Sequence, residues 1–164
     1  MNPIPTLNDT QKTELLGRNR LVDELLRDGL EVAAPMRDRG VDLIAYADLT
    51  SSVTSFMARP IQMKAAWSRS FVVDKKYLKI ADLLFAFVWN VGNPADPVTY
   101  ALTQEEAMTV ADAMGWTKTV SWQGSKGLYS TTAPGKRLLA LLEPHRAKPG
   151  TWWTKVTCAP AAKS

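Results

Sequence analysis

Three polar residues stand in two otherwise apolar, strand-like runs near the middle of the 164-residue chain. Asp42 lies near the start of the first run, and Gln62 and Lys64 lie two residues apart in the second. Because strand side chains alternate, Gln62 and Lys64 share one face of their strand. A carboxylate and an ammonium group are costly to bury alone, so such a cluster pairs internally, binds a metal or does chemistry.

A helix is the first element expected before these strands, from residue 8 or 10 to Asp28, with Gly29 ending it. Its apolar face is predicted to consist of Leu15, Val22, Leu25 and Leu26, which recur at helical spacing. In this register Asn19 lies on or beside the apolar face, and Glu14 lies on its opposite flank.

The rest of the chain is predicted to alternate strands with short helices. Strands are expected at 30–34, 41–47, 61–67, 71–73, 83–91 and 98–102. Helices are expected at 75–80 after an Asp cap, at 104–114 after a Thr–Glu capping box, and at 135–142. Segments 117–122 and 128–131 are predicted to form a hairpin. This order predicts an α/β or α+β domain with a mixed central sheet flanked by helices.

Composition and charge limit the class of protein. The chain is 46% hydrophobic and 22% charged, which suits one globular domain with a substantial core. A single cysteine excludes an internal disulfide, and neither a signal peptide nor a membrane-spanning run is evident, so we expect a cytoplasmic protein with no membrane partner. The net charge of +4 is compatible with an anionic partner such as nucleic acid.

The order of these features resembles the PD-(D/E)XK, or restriction-endonuclease-like, nuclease superfamily, and is most similar to small members such as archaeal Holliday-junction resolvases. The family pattern has an acid on the first helix, an Asp opening the second strand, and Glu-x-Lys or Gln-x-Lys on the third. Asp42 matches the second feature, and Gln62 and Lys64 match the third. The resemblance covers about residues 10–92. It implies a nuclease core at 1–92. The chain from residue 93 onward matches no part of the family pattern and is predicted to form an α/β extension at 93–157 on the same domain, followed by a flexible tail at 158–164.

The resemblance implies Mg²⁺- or Mn²⁺-dependent hydrolysis of DNA phosphodiesters, with Asp42, Gln62 and Lys64 as the catalytic residues. Asp42, the Gln62 side-chain carbonyl and the Met63 backbone carbonyl would bind the metal, and Lys64 would be the catalytic cation. Alignment with the family's first helix puts Asn19 at the acid position, where its amide oxygen would bind the metal. Glu14 would also contribute if the helix is rotated from the predicted register.

Basic residues flank this cluster in the sequence and are expected to contact DNA phosphates: Arg37, Arg39, Arg69, Lys75, Lys76 and Lys79. The family resemblance also allows a homodimer that cuts two strands. Two alternatives stay open. In the first, the chain is a non-catalytic module that binds nucleic acid or protein on a degenerate nuclease fold. In the second, Asp42 and Lys64 form an ion pair that fixes the register of the strands.

Overall fold

The computed structural model describes residues 9–37, 39–48 and 54–158, so the predicted tail beyond residue 158 lies outside the described residues. The strands are β1 (Leu30–Ala33), β2 (Leu43–Ala47), β3 (Ala58–Ala65), β4 (Phe71–Asp74), β5 (Leu84–Trp89), β6 (Val98–Thr103) and β7 (Leu128–Thr131). The α-helices are α1 (Thr10–Arg27), α2 (Gln104–Ala113), α3 (Val120–Gln123), α4 (Lys136–Leu142) and α5 (Thr151–Thr157). Short 3₁₀ helices occupy Lys75–Lys79, Trp116–Lys118 and Glu143–His145.

Five strands form one mixed sheet in the order β1-β2-β3-β5-β6, while β4 and β7 form a separate antiparallel pair. Strands β3 and β5 run parallel, and the other neighbours in the large sheet are antiparallel. The segment between β3 and β5 contains β4 and the 3₁₀ helix Lys75–Lys79. The predicted α+β fold with a mixed sheet and flanking helices is confirmed.

The large sheet separates two apolar cores. One core lies against α1 and α5 and contains Leu21, Ile61 and Trp152. The other lies against α2, α4 and the β4–β7 pair, and contains Phe87 and Trp89. Strand β5 is buried along its whole length between these cores, as its continuous apolar sequence predicts. Every helix in the described part of the chain is too short or too polar to cross a membrane.

Helix α1 is rotated from its predicted register. Its buried residues are Gly17, Leu21 and Leu25, spaced four apart along one face. Leu15 and Leu26, which were expected on the apolar face, have 58% and 50% of their surface exposed. The predicted apolar face was therefore wrong for Leu15 and Leu26, whereas Leu25 is buried and Val22 packs partly buried against the core.

Close packing between α1 and β3 explains the rotation. Gly17 lies against the strand so tightly that an added Cβ would be 2.5 Å from the Cβ of Ala65. Real Cβ atoms do not approach this closely, so only the face that carries the glycine fits the sheet. Hydrophobicity alone favours burial of the α1 face that carries Leu15 and Leu26. The close contact between the backbone of α1 and β3 instead requires the smallest residue, Gly17, at the interface.

The predicted hairpin at 117–122 and 128–131 was wrong in its first half. The first segment forms a 3₁₀ helix and then α3, because the Thr119 side chain accepts a hydrogen bond from the Trp122 N–H and caps the helix. Strand β7 pairs with β4 instead. Gly127, beside β7, accepts a hydrogen bond from Lys75 N at 2.9 Å, which holds the two strands at the entry to the 3₁₀ helix.

The C-terminal elements share the sheets of the N-terminal ones. Strand β6 pairs with β5, and β7 pairs with β4. Helix α5 is joined to α1 by the Asp28 carboxylate, which accepts hydrogen bonds from the N–H groups of Gly150 and Trp152 at 2.7 and 2.8 Å. The Trp152 indole N–H also donates to Glu24. Strands from both sides of residue 92 therefore belong to the same two sheets.

Candidate functional site

The site lies where β2 and β3 separate. Their ladder ends at the pair Leu43–Ile61, and Asp42 N donates the last hydrogen bond to Ile61 O at 2.9 Å. Beyond this point β3 continues to Ala65 and pairs only with β5. Asp42 thus sits just before β2, rather than inside it as predicted, and its side chain meets the part of β3 that β2 leaves uncovered.

Asp42 and Gln62 form a compact buried cluster, with 8% and 5% of their surfaces exposed. Asp42 Oδ2 accepts hydrogen bonds from the Met63 backbone N–H at 2.6 Å and from Gln62 Nε2 at 2.5 Å. Gln62 Nε2 also donates to the Met63 carbonyl at 3.2 Å. These contacts fix both side chains, and they orient the Gln62 amide with its nitrogen towards the carboxylate.

The other end of the same amide lacks a partner. Gln62 Oε1 is buried and receives no hydrogen bond from any described residue. A flipped amide would place this oxygen against the Asp42 carboxylate, so the observed orientation is the favourable one. A buried carbonyl oxygen without a donor is costly, and a cation is one group that would satisfy it.

Lys64 lies beside this cluster and is half-buried. Its Nζ contacts the Tyr77 hydroxyl at 3.1 Å and lies 5.2 Å from the centre of the Tyr77 ring. Lys64 makes no ion pair with any described carboxylate. A register-fixing ion pair is therefore not what holds this ammonium group in place.

Of the two candidate metal ligands predicted on α1, Glu14 lies at the site and Asn19 does not. Glu14 lies one turn before Gly17 on the face that meets the sheet, and it lines the same cleft as Asp42 and Gln62. Asn19 is exposed, and it lies two residues from Gly17 and Leu21 on the other side of the helix. The structure does not bring Asn19 to this cleft, because α1 is rotated from its predicted register. Glu14 pairs with Arg18 at 3.0 Å and keeps 60% of its side chain exposed.

Glu14, Asp42, Gln62 and Lys64 line an open cleft of about 530 Å³ between the start of α1 and the end of β3, here called the first cleft. Trp67 completes its wall. The indole of this residue packs so closely on Gly92 that a Cβ there would lie 2.2 Å from a ring atom, and Lys12 Nζ lies 5.8 Å from the ring centre.

A second cleft of about 460 Å³ shares Gln62 and Lys64 with the first cleft. Its walls come from the loop before β2 and from the 3₁₀ helix: Arg39, Gly40, Lys76, Tyr77 and Ile80. Two of the six predicted phosphate-binding residues therefore line a cleft. The other four line neither one: Arg37, Arg69, Lys75 and Lys79.

Electrostatics favour a positive second cleft. The neighbouring Tyr77 and then the Asp74 carboxylate raise the pKa of Lys76 above its ordinary value, despite the opposing effect of burial. Lys76 is therefore charged at neutral pH. Lys76 Nζ lies 4.8 Å from the Tyr77 ring centre, on which Lys64 also converges. Tyr77 was missed in the sequence, because nothing in its spacing shows that the 3₁₀ helix turns it towards β3.

The residues that line the first cleft carry oxygen atoms of the kinds that fit a hard divalent cation. They are the carboxylates of Glu14 and Asp42, the Gln62 amide oxygen and the Met63 backbone carbonyl, which are ligand types that Mg²⁺ and Mn²⁺ prefer. Within the described ranges no three His, Cys, Asp or Glu residues gather into a metal-binding group. The fit therefore depends on the amide and backbone oxygens as well as on the two acids.

Comparison of the chain with protein-family models, with curated proteins and with solved structures finds no match. The function has to be inferred from the geometry of the two clefts.

Proposed function

We propose that the protein is a metal-dependent nuclease that hydrolyses phosphodiester bonds of DNA in the first cleft. The observation that carries the proposal is the buried, unsatisfied Gln62 Oε1 beside the carboxylate of Asp42. Glu14 and Lys64 line the same open cleft. Together these residues supply the helix acid, the strand acid and the Gln-x-Lys pair of the PD-(D/E)XK pattern, in the order that this pattern requires.

Each residue has a distinct task in the proposed reaction. Glu14, Asp42, Gln62 and the Met63 carbonyl would hold Mg²⁺ or Mn²⁺, which polarises a phosphate and lowers the pKa of an attacking water. The Lys64 ammonium offsets negative charge that develops on the phosphate oxygens in the transition state. The hydrogen bond from Lys64 to Tyr77, a residue of the second cleft, holds this ammonium group on the wall that the two clefts share before substrate arrives.

DNA is the substrate that the surroundings favour. The first cleft is open to solvent, and every residue that lines either cleft belongs to the described part of the chain before Leu83. The C-terminal helix α5 packs beside α1 on the same face of the sheet, and none of its residues lines either cleft. Arg39, Lys64 and Lys76 give the neighbouring second cleft a positive charge suited to phosphates.

A non-catalytic nucleic-acid-binding module is the second candidate, and one observation favours it. Asp42 Oδ2 already accepts two hydrogen bonds, and the third motif contributes a neutral amide rather than a second strand carboxylate. A cation in the first cleft would therefore meet less negative charge than a Glu-x-Lys motif supplies. In this case the chain would bind DNA through the same basic residues and leave it uncut.

The proposed function also bears on location and assembly. A DNA-cutting enzyme acts where DNA is accessible, and its exposed thiol, Cys158, suits a reducing compartment, so we place the protein in the cytoplasm. A single first cleft cuts one strand at a time. Cleavage of both strands of a duplex therefore takes two successive events or two copies of the chain.

The test is DNA cleavage by the purified protein on plasmid, linear, branched and single-stranded substrates, with Mg²⁺, with Mn²⁺ and with EDTA. The proposal predicts cutting of at least one substrate that requires the metal. DNA binding is measured on the same substrates in EDTA. Binding without cutting under every metal condition would overturn the nuclease and leave the binding module as the better account.

A further inference from the structure

The second cleft gathers more positive charge than a single backbone phosphate requires. Arg39 comes from the loop before β2, Lys64 from β3 and Lys76 from the 3₁₀ helix. Lys64 contacts the Tyr77 hydroxyl, and Lys76 lies 4.8 Å from the centre of the same ring. Asp74 contacts Lys76 at 3.4 Å. Arg39 and Lys64 have no ion pair with any described carboxylate.

The walls of the second cleft are fixed by contacts behind them. The Gln104 side-chain amide donates to the carbonyls of Tyr77 and Ile80, which anchors the end of the 3₁₀ helix to the start of α2. Gly40 has φ of +93°, and a Cβ there would lie 3.4 Å from both Tyr77 and Ile80. The positive φ favours glycine at this position, where the loop lies in van der Waals range of the 3₁₀ helix.

We propose that the second cleft binds the terminal phosphate monoester of a nucleic acid strand. A phosphate monoester carries about −1.5 to −2 charge at neutral pH and three acceptor oxygens, whereas a backbone phosphodiester carries a single charge. Three cations and a phenol that converge on one concave volume suit the first group. An extended backbone would instead contact cations spread along a groove.

This inference rests on the proposed function and narrows its substrate class. The two clefts share Gln62 and Lys64 as a common wall. A terminal phosphate in the second cleft therefore places the adjoining nucleotides at the first cleft, where a phosphodiester would be cut. The preferred substrate is then a phosphorylated strand end rather than an internal position in a duplex.

Fluorescence anisotropy of labelled oligonucleotides, in EDTA and at about 0.15 M salt to limit non-specific binding, tests the inference. Three forms of one sequence are compared: with a 5′-phosphate, with a 3′-phosphate, and with hydroxyl groups at both ends. One phosphorylated form should bind about tenfold tighter than the hydroxyl form, since hydrogen bonds to charged groups are worth that much. The form that binds tighter identifies which end the cleft accepts. Equal affinity for all three would overturn the inference.

Matched variants tie the preference to the second cleft. Lys76→Gln and Lys79→Gln make the same change on one short helix, but only Lys76 lines the cleft. Arg39→Gln and Arg37→Gln form the same kind of pair in the loop. In Lys76→Gln and Arg39→Gln, the ratio of the affinity for the phosphorylated form to that for the hydroxyl form should fall towards one. In the two controls this ratio should stay at the wild-type value. Equal loss in both members of each pair would overturn the assignment.

The binding readout keeps this inference separable from the proposed function. A phosphate preference in wild-type protein that cuts no substrate would support the second cleft and overturn the nuclease. Metal-dependent cutting with no preference for a phosphorylated end, in binding or in rate, would overturn the second cleft and leave the nuclease standing.

Discussion

Gln62 is the residue on which the metal site depends. Its amide nitrogen faces Asp42 and its buried oxygen has no donor among the described residues. An unsatisfied buried polar atom costs about 1–3 kcal/mol, which is a large part of the stability of a small domain. A divalent cation bound by this oxygen and by Asp42 would remove that cost. A buried oxygen without a donor, such as Gln62 Oε1, is therefore typical of a site that is completed by a ligand.

Gln62→Glu should make folding stability depend on metal. The substitution puts a second carboxylate within about 2.5 Å of Asp42 Oδ2 and removes the hydrogen bond between the two side chains. Because the two carboxylates repel each other and the hydrogen bond is lost, the free energy of unfolding should fall by about 1–3 kcal/mol in EDTA. Saturating Mn²⁺ should restore most of this loss, since it binds only the folded site. Urea unfolding with and without Mn²⁺ measures the effect.

Gln123→Glu is the control for this substitution, because it adds the same charge at an exposed position on α3. Its stability should respond to Mn²⁺ no more than that of the wild type. A Gln62→Glu variant that stays equally unstable in EDTA and in Mn²⁺ would argue that the cluster is only a hydrogen-bonded structural feature.

The sequence predicted that Asp42, Gln62 and Lys64 come together, and they do line one cleft. Strand alternation and the order of the two strands were sufficient for this, because neighbouring strands have few ways to pair. Tyr77 was missed, since its contact with Lys64 depends on how the segment between two parallel strands folds back. Such a connection has no periodic sequence signal.

At the scale of elements, the rotation of α1 decides which polar side chain of this helix reaches the site. The sequence carries leucines on the exposed side of the helix and a glycine on the buried side, so hydrophobic periodicity indicates the wrong face. Tight packing of Gly17 on Ala65 turns Glu14 into the first cleft and leaves Asn19 exposed. A close backbone contact of this kind is a tertiary property that a pattern of apolar residues does not record.

Substitution of the two helix residues tests this rotation. Glu14→Gln should reduce metal-dependent cleavage by about 100-fold or more, because it removes a carboxylate from the donor set. Asn19→Asp should leave the cleavage rate within about twofold, because an exposed residue on the far side of α1 cannot reach the cleft. Cleavage rates at saturating Mg²⁺ are compared, with unfolding curves to show that both variants fold. A large loss in Asn19→Asp with none in Glu14→Gln would contradict the observed register.

Local signals in the sequence were reliable where they involve neighbouring residues. The Thr103–Glu106 capping box begins α2 as predicted, and Asp74 accepts a hydrogen bond from Lys76 N at the start of the 3₁₀ helix. The hairpin prediction failed because two glycines favour a turn but do not specify which strand pairs with β7. That partner, β4, lies more than fifty residues earlier in the chain.

At the scale of the whole molecule, a charged cluster connects the C-terminal elements to α2. Glu106 accepts a hydrogen bond from Lys155 of α5 at 2.7 Å, and His145 Nδ1 lies 3.7 Å from its other oxygen. Burial raises the pKa of Glu106, but hydrogen bonds from Lys155 and from the Thr103 N–H outweigh burial and leave the pKa below its ordinary value of 4.5. Burial lowers the pKa of His145.

This cluster should make stability sensitive to acid. Because the pKa of Glu106 is lower in the folded protein than in the unfolded chain, its ion pair stabilises the fold above pH 4.5 and loses this effect as the pH falls further. Glu106→Gln should lower the free energy of unfolding by about 0.5–1 kcal/mol at pH 7, a modest value because the pair is partly exposed. This difference from wild type should diminish as the pH falls below 4.5. Urea unfolding between pH 3 and pH 7 measures it.

The adjacent Glu105→Gln provides the control, since Glu105 is exposed at the same end of α2. Its effect on stability should be smaller at every pH. Equal effects of the two substitutions at pH 7 would show that Lys155 adds nothing through Glu106.

The most direct measurement of the central claim is the cleavage rate of wild type beside Asp42→Asn and Lys64→Ala, in Mg²⁺ or Mn²⁺, on the substrates above. Asp23→Asn serves as control, because it removes a carboxylate from an exposed position of α1. The nuclease account predicts metal-dependent cutting by wild type and control, and a loss of about 100-fold or more in the two site variants, which stay folded and still bind DNA. Wild-type protein that cuts nothing, or Asp42→Asn that cuts at the wild-type rate, would contradict it.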